Sequence, residues 1–137
     1  MPKMMFPRAF ALACACSAVL AAGCGGVVSP SQNQKQQFSG TVAPLGQSVN
    51  TFSVTKSGEY SVTLDAMNPA LNVFLTVFFG QDLGGSCSPI TSSLFYAGSI
   101  GQEVLTGAIT PGSYCVGVLD TGALTTSISY TVTVAHP

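Results

Sequence analysis

The sequence predicts an all-β domain, an antiparallel β-sandwich of about 7–9 strands, and three observations carry that prediction. From Phe38 onward, apolar residues recur at every second position. The runs are short and are punctuated at fairly even spacing by Gly, Pro, Asn and Ser. No stretch of the same region repeats its apolar residues at the helical period. Ser and Thr fill the alternate positions, as suits strands whose outward face is solvated by hydroxyls rather than charges.

The elements follow in order. Val49 to Thr55 alternates around Phe52 and Val54. After a turn at Lys56-Ser57-Gly58, Tyr60, Val62 and Leu64 fall on one face and Ser61, Thr63 and Asp65 on the other. Asn68-Pro69-Ala70 is a second punctuation mark. Leu71 to Phe79 is apolar on both parities, with Phe74 and Phe78 opposite Leu75, Val77 and Phe79, which predicts a central strand or one covered on its second face. Gly80 to Ser93, with Gly-Gly, Ser-Cys and Ser-Pro, reads as a long loop. Glu103 to Ile109, Ser113 to Leu119 and Ser127 to Val134 complete the set.

One internal repeat is visible. Gly46-Gln47-Ser48-Val49 leads to Gly58-Glu59-Tyr60-Ser61-Val62, and Gly101-Gln102-Glu103-Val104 leads to Gly112-Ser113-Tyr114-Cys115-Val116. Both read as hairpins, with glycines supplying positive φ and each Tyr opening an inward face. Duplication and convergence on a common hairpin account for this equally well.

The N-terminal segment has a different character. Lys3 and Arg8 form a basic start, and Ala9 to Ala22 is an uncharged apolar stretch of signal-peptide length, too short to span a bilayer stably. It ends in Leu20-Ala21-Ala22-Gly23-Cys24, which resembles the bacterial lipobox, with Ala21 where Leu is usual. The resemblance implies a signal helix over residues 1–23 that is removed, and a lipid anchor on Cys24. An ordinary cleaved secretion signal is the alternative. Residues 24–37, rich in Gly, Ser, Asn and Gln, have the composition of a flexible tether, leaving 38–137 as the domain. By the same resemblance, Gly25 in place of the Asp that commonly retains such proteins in the inner membrane of enterobacteria implies, for a Gram-negative source, the outer membrane of the cell envelope.

Cysteine use agrees with export. Cys14 and Cys16 would leave with the signal and Cys24 would carry lipid, so Cys87 and Cys115 remain as a pair in an oxidising space. Their disulfide would clamp the Gly80–Ser93 loop over an outer face, covering Phe74 and Phe78. From Cys24 onward, Lys35 and Lys56 stand against Glu59, Asp65, Asp82, Glu103 and Asp120, a formal charge of two minus five, or −3. Without a basic cluster to release counterions, nucleic acid is not an expected partner.

The order Gly-Gln-x-Val, Pro111-Gly112-Ser113-Tyr114-Cys115-Val116-Gly117-Val118 and Ser129-Tyr130-Thr131-Val132-Thr133-Val134 resembles the bacterial pre-peptidase C-terminal (PPC) domain across Phe38 to His136. This resemblance implies a jelly-roll-like β-sandwich acting as an accessory or binding module outside the cell. Some members bind calcium through acidic residues. Here Asn68-Pro69-Ala70-Leu71-Asn72-Val73 replaces most of them, so neither a metal nor another cofactor is expected.

Catalytic equipment is sparse. The single His136 sits beside the terminal Pro, where fraying is expected. Asp65 and Asp120 each close one copy of the repeat, which favours turn capping over a paired-carboxylate site. Two non-enzymatic readings remain. One is a binding module for carbohydrate or protein, with Phe79, Phe95 and Tyr96 as candidate contacts, although the lack of Trp weakens the carbohydrate version. The other is a structural or assembly lipoprotein of an envelope complex, adding a strand at an open sheet edge.

Overall fold

A computed structural model describes residues 28–137; the signal segment and Cys24 lie outside the described residues. Eight strands form two four-stranded antiparallel sheets. They are β1 (Gln34–Val42), β2 (Gln47–Val54), β3 (Gly58–Asn68), β4 (Phe74–Asp82), β5 (Cys87–Tyr96), β6 (Glu103–Ile109), β7 (Gly112–Leu119) and β8 (Ile128–His136). The first sheet has the order β1-β8-β3-β6 and the second β2-β7-β4-β5, the strand order of an eight-stranded jelly roll.

Alternation explains the core. Val62, Leu64, Val132 and Val134 of the first sheet face Leu75, Val77, Val116 and Val118 of the second, and all are buried. β4 is internal to its sheet, as its apolar character on both parities predicts.

Three local expectations are corrected. First, residues 28–37, whose composition reads as tether, are part of the fold. Val28 bridges Gly58 and donates its N–H to Ser57 O at 2.9 Å, Pro30–Gln32 forms a 3-10 turn, and Gln34–Gln37 already pair with β8. Polar side chains suffice there because β1 is an edge strand. Gly58 carries no side chain because a Cβ would lie 3.0 Å from Val28 O.

Second, the expected Gly80–Ser93 loop is the turn of a β4–β5 hairpin, and β5 is a full edge strand. Pro89 is tolerated beside a register shift between Phe79 and Gly80. The backbone of Ser88 and Pro89 folds closely over Gly80, leaving no room for a side chain there.

Third, the repeated units are not hairpins. β2 and β3 lie in different sheets, as do β6 and β7, so each copy is an arch between sheets. The two arches pair reciprocally: β2 with β7, and β3 with β6. The equivalent Tyr60 and Tyr114 stack on Phe79, with centroids 3.9 and 5.4 Å away. Of the four glycines, Gly101 alone has positive φ.

Candidate functional site

The Cys87–Cys115 disulfide is present, with Cα atoms 5.9 Å apart. It joins β5 to β7 across β4 rather than holding down a loop. Phe74 is not covered by it and is 51% exposed. Phe78 is buried for a different reason: its ring lies against Gly117, where a Cβ would collide with it. A structural disulfide belongs to an oxidising compartment, which makes this an extracytoplasmic protein.

The three aromatic candidates separate. Phe79 is 2% exposed, stacked between the repeat tyrosines, and Phe95 also points into the core. Neither can meet a ligand. Tyr96 is 41% exposed and packs against Phe74 across the β4–β5 pair, with ring centroids 5.0 Å apart.

His136 is not frayed. It pairs with Gln34 in the first sheet, is fully buried, and its ring lies 5.0 Å from that of Phe52. Its Nε2 is 3.3 Å from Gln36 Oε1 and its Nδ1 3.4 Å from Gln34 Nε2, so both ring nitrogens are engaged. The two carboxylates of the repeat also differ. Asp120 closes the turn after β7 and is buried, accepting N–H bonds from Leu45 (2.8 Å), Gly122 (3.1 Å), Ala123 (2.8 Å) and Leu124 (3.2 Å). Burial pushes its carboxyl up, but these four donors outweigh that and hold it below the ordinary carboxylate value. Asp65 is not a cap. It sits at an irregularity of β3 and accepts from Thr133 Oγ1.

A depression lies on the outer face of the first sheet. Two adjoining hollows, of about 440 and 390 Å³, share Lys35, Ser61, Glu103 and Ala135. Their floor continues through Glu59, Thr63, Asp65 and Thr133. This trough carries three carboxylates against one ammonium. Asn33 closes its end: Nδ2 donates to Glu59 O at 2.7 Å, while its buried Oδ1 has no donor. Sequence alternation places Ser61, Thr63 and Asp65 on one face. That Lys35 and Glu103 join them depends on β1 and β6 being the flanking edges. Among the described residues no group of three or more His, Cys, Asp or Glu is arranged to hold a metal, and no helix is long and apolar enough to cross a membrane.

The second sheet presents the opposite chemistry outward. Phe74, Ile90 and Leu94 are each more than half exposed, with Tyr96 beside them and Leu83 at the tip of the hairpin. Asp82 is the one acidic or basic residue of β4 and β5, and its Oδ1 accepts from the N–H groups of Gly84 and Gly85.

No family model and no curated protein matches the chain. Among solved structures, the Yersinia pseudotuberculosis-derived mitogen is similar with a TM-score of 0.54 at 16% identity, over 77% of this chain and 87% of that one. PliG of Aeromonas hydrophila, a periplasmic inhibitor of g-type lysozyme, aligns with a TM-score of 0.47 at 16% identity, over 81% of this chain and 93% of that one. At that identity the likeness to the mitogen is one of fold.

Proposed function

We propose that this chain is a non-catalytic exported lipoprotein, acylated on Cys24 at the outer membrane, whose β-sandwich is a binding module of the cell envelope. The ligand it fits best is a polar, basic segment of another protein lying along the outer face of the first sheet. The observation that carries this reading is the trough of Lys35, Glu59, Asp65 and Glu103 with hydroxyl groups between them. Its net negative charge and its hydroxyl acceptors suit a ligand rich in N–H donors. A glycan is less well served, because the one aromatic ring lining the trough, Tyr60, is buried. The non-catalytic part is supported by His136, whose ring is sequestered between Phe52 and two glutamines.

Arrays of basic and neutral peptides, run beside a glycan array, test the ligand class. Binding of basic peptides should fall at least about tenfold in Glu59→Gln/Glu103→Gln, equivalent to about 1.4 kcal/mol. Glycan binding that ignores this double substitution would overturn the reading. The assembly alternative has one observation of its own: the free edge of β5, Cys87–Tyr96, carries no Lys, Arg, Asp or Glu to discourage an added strand.

A further inference from the structure

We propose that the outer face of the second sheet rests on the membrane as an interfacial patch, leaving the trough of the first sheet turned away from the lipid. The inference rests on acylation of Cys24 and adds to it the place where the fold begins. Val28 is fixed to Ser57 and Gly58 at the start of β3. From Cys24 to Val28 the chain can therefore reach at most about 14 Å, against about 50 Å for a free fourteen-residue tether. Packed sheets lie about 10 Å apart. The leash is thus little longer than the gap between the sheets, and too short to hold the domain clear of the headgroups.

With the domain held near lipid, the two broad faces differ in what contact would do. The first exposes Lys35, Glu59, Asp65 and Glu103, whose hydration would be lost and whose net charge repels anionic headgroups. The second exposes Phe74, Ile90, Leu94 and Tyr96, with Leu83 at the hairpin tip, and its one carboxylate is tied to the turn glycines. Apolar side chains flanked by a tyrosine gain from interfacial burial. A bilayer would also account for so many large apolar groups of one hairpin facing outward.

The chain contains no Trp, so single substitutions give clean fluorescence reporters. The full chain is expressed, processed and reconstituted into phosphatidylethanolamine and phosphatidylglycerol vesicles containing a lipid brominated near its headgroup. Flotation of the wild type with the vesicles reads the anchor. Leu94→Trp and Ile90→Trp report the apolar face, and Ser39→Trp, exposed on the outer side of β1, reports the polar one. Both apolar-face reporters should be quenched severalfold more than Ser39→Trp, and two of them keep the test informative if one variant misfolds. If the wild type does not float, the anchor and the membrane face both fall. If it floats but Leu94→Trp and Ile90→Trp are quenched no more than Ser39→Trp, the anchor stands and the face does not. In that case concentration-dependent dimerisation would assign the patch to a second copy of the chain.

Discussion

Outward from the first sheet stand Lys35, Glu59, Ser61, Thr63, Asp65, Glu103 and Thr133; outward from the second stand Phe74, Ile90, Leu94 and Tyr96. Both sheets alternate, and both bury the same kind of aliphatic residues inward. Alternation decides which residues turn outward but leaves their chemistry free. The first face has kept hydration and charge, as a surface for a polar ligand requires. The second has kept exposed apolar groups, as the proposed membrane face requires.

The comparison can be broken most forcefully through the disulfide, which lies on the second sheet alone. Cys87→Ser/Cys115→Ser should lower the unfolding free energy by about 3–4 kcal/mol, read from a urea midpoint under oxidising conditions. A loss below about 1 kcal/mol would mean that the β4–β5 hairpin holds its place by packing alone. Next comes Asp120→Asn, expected to cost about 2 kcal/mol, because four main-chain donors lose their ionised acceptor. The sign with pH follows from the lowered carboxyl value. The contribution is complete above the ordinary carboxylate pKa of about 3.9 and disappears as pH falls through the lower folded value. Acid titration should thus destabilise the wild type more than Asp120→Asn, and parallel curves would refute this.

Gly117→Ala should cost about 1–3 kcal/mol, since the new methyl group occupies the space of the Phe78 ring. Displaced Phe78 would join the apolar face, and increased binding of a hydrophobic dye should accompany the loss. Smallest is Leu94→Glu, expected to change stability by less than about 0.5 kcal/mol because the side chain is exposed. The same variant should weaken vesicle contact. A large stability loss instead would show that Leu94 packs within the domain.

Much of this was legible in the residues. Tyr60, Val62 and Leu64 on one parity, with Ser61, Thr63 and Asp65 on the other, give β3 and its two faces directly, because strand geometry has a period of two. The cysteine pair follows from compartment and parity of number. β5 was not legible: Ser88, Pro89, Ser92 and Ser93 resemble a loop, and an edge strand with one buried partner needs little apolar character. Phe79 and Phe95 could be placed beside the expected loop but not in the core, since that depends on which sheet covers them.

By itself the sequence determined the strands' periodicity, the glycine and proline punctuation and the segregation of inward from outward residues, all set by chain geometry within a few positions. Tertiary structure alone decided that each repeated unit arches between sheets, that Val28 is fixed at the start of β3, and that residues from β1, β3, β6 and β8 make one trough. These are relations between segments far apart in sequence, fixed by the pairing of strands whose local patterns are nearly interchangeable.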